Sequence, residues 1–237
     1  MIKMVTIFGT RPEAIKLAPL IYELENNRNI ESKIVVSAQH REMLDQVLKL
    51  FSINTDYDLN IMTHNQSLHH VTSKVIIELE KIFLEEEPKL VIVQGDTTTT
   101  FAGSLAAFYQ KIPIAHVEAG LRTEEKYSPF PEEINRRLTS HMVDFHFAPT
   151  ENAKISLMKE NVSEENIWIT GNTVVDALKM ILERKLECNT PFLQQYDFTK
   201  KKTILVTLHR RESFMGGLEN VLTALKTIAL SEEIDII

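Results

Sequence analysis

The chain has 237 residues, of which 43% are hydrophobic and 25% are charged, and this ordinary globular composition excludes a disordered or low-complexity protein. The formal net charge of −7 argues against a surface built to bind nucleic acid, although it leaves room for one local cationic pocket. The single cysteine, Cys188, excludes a disulfide framework and a multi-cysteine zinc site, and it fits a reducing compartment.

Short apolar runs alternate along the chain with longer segments of helical periodicity. Strands are predicted at residues 5–8, 33–37, 90–93, 112–117, 144–148, 167–170, 203–208 and 234–237. Helices are predicted at residues 14–25, 41–51, 67–87, 98–109, 131–142, 150–160, 174–186 and 218–229. Because strands and helices alternate, the sequence predicts an α/β fold with a parallel sheet covered by helices on both faces.

The composition changes near Gly171, where a domain boundary is predicted. A helix and a polar segment containing Pro191 follow, and then a new strand begins at residue 203. Two strands and one helix cannot bury a core of their own, so this last part is expected to begin a second α/β domain that is incomplete. No segment reaches the roughly 20 apolar residues that span a bilayer, and no signal-peptide pattern is present. We therefore expect a soluble, cytoplasmic protein with no membrane partner.

Four of the seven glycines come just after predicted strands: Gly9, Gly95, Gly120 and Gly171. In open α/β sheets the carboxyl ends of the strands form the edge where ligands bind. The glycines therefore predict a ligand site at this edge of the sheet.

The first motif at this edge is GTRPEAIK, which follows the first strand. A glycine turn at a helix N-terminus exposes backbone N–H groups to an anion, and Pro12 suits the first helical turn. Arg11 and Lys16 would add positive charge toward a phosphate. The alternative is an ordinary surface arginine and lysine, and the spacing alone does not decide between them. The motif is neither G-x-G-x-x-G nor a P-loop, so neither an NAD fold nor an ATPase follows.

A second motif, GDTTTT, follows the strand that ends near residue 93. Asp96 sits at a strand–helix junction, where it can act as a helix cap or face a ligand. Four β-branched threonines are a poor choice for helix propensity alone, which favours a polar ligand at the helix start.

Two further carboxylates belong to the segments HVEAGLRT and SPFPEE. Glu118 ends a buried strand, and Glu132 lies in the first turn of a predicted helix. Its neighbour Glu133 fits a helix-dipole role better. Asp96, Glu118 and Glu132 are able to converge on one crevice, and such a cluster suits proton abstraction and return.

His209 and the arginines after it follow the strand near residue 203. They fit a diphosphate-binding loop or a general acid, but on charge alone a solvated basic loop is favoured. No H-E-x-x-H motif or cysteine pair is present, so no metal site is predicted.

Several segments, taken in order, closely resemble the non-hydrolysing UDP-N-acetylglucosamine 2-epimerases of bacteria: FGTRPEAIKLAPL, AQHREMLDQVLKLF, GDTTTT, HVEAGLRT, SPFPEEINRR, TGNTVVDAL and HRRESF. The resemblance implies a GT-B arrangement of two Rossmann-like α/β domains. The first covers residues 1–171, a connecting helix and linker cover 172–202, and the second, incomplete domain begins at 203 and runs to 237.

The resemblance also implies an activity. The family interconverts UDP-N-acetylglucosamine (UDP-GlcNAc) and UDP-N-acetylmannosamine (UDP-ManNAc) by eliminating UDP, passing through 2-acetamidoglucal, and adding UDP back. The product supplies ManNAc units for cell-surface polysaccharide. No cofactor or metal is implied, and the partners are the two UDP-sugars and a second subunit in a homodimer. With the second domain incomplete, the chain alone is expected to turn over weakly or not at all.

Site residues follow from the same resemblance by position. Three carboxylates are implied as acid/base groups: Asp96, Glu118 and Glu132. Phosphate contacts are implied for Arg11, Lys16 and His209, the last of which would also assist the departing UDP. A segment that resembles an activator site contains Gln39, His40, Arg41 and Glu42.

Three alternatives remain open. A hydrolysing 2-epimerase would release free ManNAc and UDP. A non-catalytic module would bind the UDP-sugar without converting it, and a glycosyltransferase of similar architecture would lack a carboxylate cluster around the sugar.

Overall fold

The computed structural model describes residues 1–37, 41–61, 66–184, 191–208, 217–231 and 234–237, with the side chains of residues 41 and 42 outside the description. The chain divides into two compact units, Met1–Arg184 and Lys185–Ile237. The described part of the first unit contains a seven-stranded sheet, and that of the second contains a two-stranded sheet.

The strands of the first unit are β1 (Ile2–Phe8), β2 (Ile30–Val36), β3 (Tyr57–Asp58), β4 (Leu90–Gln94), β5 (Ile114–Val117), β6 (Phe145–Ala148) and β7 (Ile167–Ile169). Its helices are α1 (Arg11–Glu25), α2 (Arg41–Phe51), α3 (Leu68–Glu86), α4 (Thr98–Tyr109), α5 (Glu132–Ser140), α6 (Glu151–Lys159) and α7 (Val174–Glu183), with a 3-10 turn at Glu164–Asn166. The strands pair in parallel in the order β3-β2-β1-β4-β5-β6-β7. The predicted parallel α/β sheet is therefore confirmed.

Successive strand residues face opposite cores, because side chains alternate across a sheet. Phe8 and Ile92 pack with residues of α1 and α2 on one face. Ile7 and Val93 pack with residues of α3 and α4 on the other. Both faces of the central strands are buried, which explains why these strands read as continuous apolar runs.

The ends of α3 follow local rules. The Ser67 hydroxyl accepts a hydrogen bond from the His70 backbone N–H at 3.2 Å and caps the first turn. At the other end Glu87 adopts a left-handed conformation with φ of 46°, and Pro88 follows it. The predicted helix at 67–87 is confirmed to within one residue at each end.

The order of the strands creates a crevice at the carboxyl ends of β1 and β4. The chain leaves β1 toward α1 on one face of the sheet and leaves β4 toward α4 on the opposite face. Where the connections after two neighbouring strands run to opposite faces of the sheet, the loops separate and leave space for a ligand.

The described residues of the second unit form β8 (Thr203–Ile204) and β9 (Asp235–Ile236), which pair in parallel, with α8 (Pro191–Gln194) and α9 (Leu218–Ser231). The strand predicted at 203–208 is shorter than expected. The helix α7 belongs to the first unit, because Ala177 packs in the same core as α1. The domain limits at residues 171 and 203 stay a prediction. No helix in the described ranges is long and apolar enough to cross a membrane.

Candidate active site

A cleft of about 390 Å³ lies at the carboxyl ends of β1, β4 and β5. Most of its lining residues come from the loops after these strands and from the first two turns of the helices that follow, and β4 and α2 add Gln94 and Met43. They are Thr10, Arg11, Pro12, Glu13, Lys16, Met43, Gln94, Gly95, Asp96, Thr97, Glu118 and Glu132. The three predicted carboxylates and the two predicted phosphate-binding cations of the first unit therefore share one cleft.

Three donors hold the carboxylate of Glu118, which directly follows β5. Lys16 Nζ donates to Glu118 Oε1 at 2.7 Å and to Oε2 at 2.6 Å. Gln94 Nε2 donates to Oε2 at 2.6 Å, and Asn172 Nδ2 donates to Oε1 at 2.7 Å. Charge-assisted hydrogen bonds on both oxygens fix the plane and position of this carboxylate.

The carboxyl group of Asp96 does not cap α4. The cap is Thr97, whose hydroxyl accepts the Thr100 N–H at 3.2 Å. Asp96 instead accepts a hydrogen bond at Oδ2 from Arg136 Nη2 at 2.5 Å. Burial raises the pKa of Asp96, Arg136 opposes this rise, and the negative charges of Glu132 and Glu118 add to it. The charges of the two neighbouring carboxylates therefore act on Asp96.

Glu132 is the first residue of α5, directly after Pro131, and its side chain lines the cleft. Its neighbour Glu133 is not among the residues that line the cleft. Glu133 is fully buried and accepts hydrogen bonds from the Thr123 N–H at 3.1 Å and from Arg137 Nε at 2.9 Å. Its role is to join α5 to the preceding loop.

The two cations of the first motif differ in their surroundings. Arg11, the first residue of α1, is exposed at the cleft. Lys16 lies within α1 and is paired with Glu118, with the lysine side chain 25% exposed. Lys16 therefore bridges the predicted phosphate-binding and acid/base groups.

Glu13 is a buried carboxyl group that lines the cleft, and its motif does not mark it as a site residue. Its Oε2 accepts the backbone N–H groups of Gly9 at 3.0 Å and Thr10 at 2.7 Å. Its Oε1 accepts the hydroxyl of Thr97 at 2.7 Å and lies 3.1 Å from the hydroxyl oxygen of Thr100. Burial raises the pKa of Glu13, while these hydrogen bonds act to lower it. The signal available in the sequence was its place three residues after Thr10, the position that completes a capping box.

Gln94, Asn172 and Arg136 were also missed. Gln94 is a polar residue closing an apolar strand, and Asn172 follows Gly171 after β7, so both carried a weak signal at the ligand edge. Arg136 carried none, because its contact with Asp96 spans 40 positions.

The sequence predicts that the threonine tract faces a polar ligand, and this prediction is wrong for residues 98–100. These three side chains are buried. The Thr99 hydroxyl lies 2.8 Å from the Ser37 hydroxyl, and Thr100 donates to the Gln94 carbonyl oxygen at 2.6 Å. A Cβ on Gly9 would lie 2.5 Å from Thr99 Oγ1, so small residues permit β1 and α4 to approach closely.

Several predicted residues lie outside the described part of the chain. Gln39, His40 and His209 are among them. Arg41 and Glu42 begin α2, but their side chains are outside the description. Within the described residues, no cluster of three His, Cys, Asp or Glu side chains is arranged to hold a metal ion.

Strand order and a carboxylate-lined cleft at the switch point define a Rossmann-like α/β protein with a polar ligand site. The sequence model of the UDP-N-acetylglucosamine 2-epimerase family matches residues 22–237, and the chain belongs to this family. The resemblance seen in the motifs is thereby confirmed.

Individual relatives agree with this assignment. The UDP-N-acetylglucosamine 2-epimerase of Salmonella typhimurium LT2 is 54% identical over 236 residues, covering 98% of this chain and 63% of the relative. The crystal structure of the UDP-GlcNAc 2-epimerase from Neisseria meningitidis bound to UDP-GlcNAc has a TM-score of 0.88 at 51% identity, covering 99% of this chain and 65% of that one. The S. aureus MnaA–UDP structure has a TM-score of 0.86 at 49% identity, covering 100% of this chain and 61% of that one.

The chain spans about 60% of the length of the curated relatives that it matches. The matched structures confirm the fold class expected from the sequence, a Rossmann-like α/β protein of the GT-B type.

Proposed function

We propose that the protein interconverts UDP-GlcNAc and UDP-ManNAc without net hydrolysis, and that the cleft of the first unit supplies its acid/base groups. The observation that carries the proposal is the convergence of Asp96, Glu118 and Glu132 on one cleft beside Arg11 and Lys16. Carboxylates with coupled charges suit proton transfer, and the two cations suit a diphosphate. Family membership and the matched UDP-GlcNAc and UDP complexes of relatives support the choice of ligand.

In the proposed reaction one proton and one UDP leave the sugar and the same two groups are added back. One carboxylate takes the proton from C2 of the sugar, the bond between C1 and the diphosphate oxygen breaks, and its electrons leave with UDP. A C1=C2 double bond forms, giving 2-acetamidoglucal. In the return step a carboxylic acid delivers a proton to the other face of C2, and the diphosphate oxygen bonds to C1 again. Arg11, Lys16 and His209 are assigned to the diphosphate.

Further parts of the proposal concern the protein's setting. We propose that it acts as a homodimer, in the cytoplasm, supplying ManNAc units for cell-surface polysaccharide. Residues 39–42 are proposed as part of an activator site. Light scattering and titration with UDP-GlcNAc test the dimer and the activator site.

The test of the activity uses two proteins. One is the 237-residue chain itself. The other, called the hybrid, joins the remaining length of the S. typhimurium relative after Ile237. Each is incubated with UDP-GlcNAc, and the products are separated by anion-exchange chromatography. The chain alone is expected to bind UDP-GlcNAc but to turn it over weakly or not at all, and the hybrid is expected to form UDP-ManNAc.

Each other outcome contradicts a defined part of the proposal. Free ManNAc and UDP from the hybrid would indicate a hydrolysing enzyme. Binding without any product in the hybrid would indicate a non-catalytic module. Activity of the chain alone equal to that of the hybrid would contradict the expected weakness of the chain.

A further inference from the structure

The starting observation is an ion pair between α5 and the loop after β4. Arg136 is 8% exposed, and its Nη2 donates to Asp96 Oδ2 at 2.5 Å. The preceding residue, Asn135, donates from Nδ2 to the backbone oxygen of Asp96 at 3.0 Å. The helix α5 thus holds Asp96 by its backbone and by its carboxylate.

The guanidinium of Arg136 is also held on its other side. Its Nη1 lies 3.5 Å from Glu133 Oε2, and Glu133 is fully buried. Arg137 Nε and the Thr123 N–H bind this same carboxylate at 2.9 and 3.1 Å. A buried charge needs compensating charge on its neighbours, and Arg136 has a carboxylate on each side. The guanidinium group is therefore held between Glu133 and Asp96.

We propose that Arg136 is a positioning residue for the reaction. Through its ion pair with Glu133 it is held in place, and it fixes the orientation and the charge state of the Asp96 carboxylate. The role in catalysis rests on the proposed function, whereas the effect on Asp96 itself does not. Nothing in the motif spacing marks Arg136 for this task, since the pair is made by the packing of α5 against α4 and its loop.

The charges facing Asp96 come from several elements. Glu132 of α5 and Glu118 after β5 favour its protonated form, as does burial, and Arg136 favours the carboxylate. On α1, Arg11, Glu13 and Lys16 line the same cleft, with Lys16 engaged by Glu118. Among the described residues, Arg136 is the cation that contacts the Asp96 carboxylate. Without it, burial and two neighbouring carboxylates would favour the protonated form of Asp96, and no other cation among the described residues contacts this carboxylate to oppose them.

The inference is tested by carbon-13 NMR titration of the Asp96 carboxyl group in the 237-residue chain, with the resonance assigned by its loss in Asp96→Asn. In Arg136→Met the midpoint of the Asp96 titration is expected to rise by about 1 to 3 pH units, because an adjacent cation lowers a carboxyl pKa by that amount. In Arg136→Lys, which keeps the charge without the planar fork, a smaller rise is expected.

The matched control is Arg137→Met. It removes a cation one position away that binds Glu133 but does not contact Asp96. In this variant the midpoint of the Asp96 titration is expected to shift by less than half of the shift seen in Arg136→Met. An unchanged midpoint in folded Arg136→Met, or equal shifts in both methionine variants, would overturn the inference. If Arg136→Met does not fold, Arg136→Lys decides, and an unchanged midpoint there overturns the inference too.

The titration needs no turnover, so the inference about Asp96 can be refuted independently of the proposed function. A shifted midpoint in a chain whose hybrid forms no UDP-ManNAc would refute the activity and keep the Arg136–Asp96 relationship. An unchanged midpoint in an active hybrid would do the reverse.

Discussion

The ammonium group of Lys16 lies 2.6 and 2.7 Å from the two carboxylate oxygens of Glu118, although the residues are 102 positions apart. The pair joins α1 to the loop after β5 across the carboxyl edge of the sheet. It connects two groups that the sequence assigns to different tasks, one to the diphosphate and one to proton transfer. The loss of Lys16 should therefore affect both tasks.

We expect Lys16→Met in the hybrid to raise the dissociation constant for UDP-GlcNAc about tenfold to a hundredfold, as measured by calorimetry, because a charged hydrogen bond contributes about 1.5 to 3 kcal/mol. The matched control is Lys3→Met. Lys3 Nζ makes a similar bond to Glu86 Oε2 at 2.7 Å away from the cleft, and its loss should leave the affinity unchanged. Equal affinities in both variants would remove Lys16 from the ligand site.

The carboxylates are expected to act in the chemical step more than in binding. In the hybrid, Asp96→Asn, Glu118→Gln and Glu132→Gln should each lower kcat by about 10²- to 10⁴-fold, the usual range for an acid or base. UDP binding should change far less. Glu125→Gln, an exposed residue of the loop before α5, is the control and should keep full kcat. A cleft variant with unchanged kcat would show that its carboxylate takes no part in the mechanism.

The glycines at positions 120 and 171 should differ in their tolerance of a side chain. Both have positive φ, at 89° and 76°. A Cβ on Gly120 would lie 2.3 Å from the Ala153 carbonyl oxygen, whereas nothing lies within 4 Å of a Cβ on Gly171. Gly171→Ala should cost about 1 to 2 kcal/mol, the strain of a left-handed conformation alone, and Gly120→Ala should cost more. Urea denaturation monitored by circular dichroism measures both, and equal losses would contradict the predicted clash.

Two buried histidines should make the first unit sensitive to acid. Burial lowers the pKa of His116 to about 3 and that of His146 to about 4. In the unfolded chain both titrate near pH 6.5, so the unfolded state binds more protons below that pH. Stability should be complete above about pH 6.5 and fall as the pH drops toward 4, by up to about 1.4 kcal/mol per pH unit for each histidine.

Urea denaturation at several pH values between 7 and 4 measures this slope. His146→Gln should reduce it by the share of one histidine. His69→Gln, on the exposed face of α3, should leave it as in the unmodified chain. If the free energy of unfolding fell with pH at the same slope in His146→Gln and in the unmodified chain, His146 would not be linked to acid unfolding.

How far the sequence predicts the site depends on how far apart in the chain the interacting residues lie. Strand ends and the groups beside them can be predicted, because an apolar run followed by glycine marks the carboxyl edge, and Asp96 and Glu118 lie there. Contacts made by packing between distant segments cannot be predicted in this way. Arg136 reaches Asp96 only because α5 packs beside α4, and Glu13 becomes a buried acceptor only because two loops close over it.

The same reasoning explains the errors in the elements. β3 has two residues, Tyr57 and Asp58, which is too short to produce an alternating pattern. In the second unit β8 also has two residues, although the apolar run there extends to Leu208. Apolar composition predicts a strand, but its length depends on the partner with which it pairs.

The backbone of Glu118 has a φ of 65°, a conformation that glycine adopts at lower cost than any residue with a side chain. The hydrogen bonds of its carboxylate to Lys16, Gln94 and Asn172 more than offset that strain, because a left-handed residue costs about 1 to 2 kcal/mol and each charged hydrogen bond contributes about 1.5 to 3 kcal/mol. The side chain proposed for turnover therefore also stabilises the fold. In a library of variants selected for heat resistance alone, Glu118→Gly would be depleted, although glycine suits the backbone at this position.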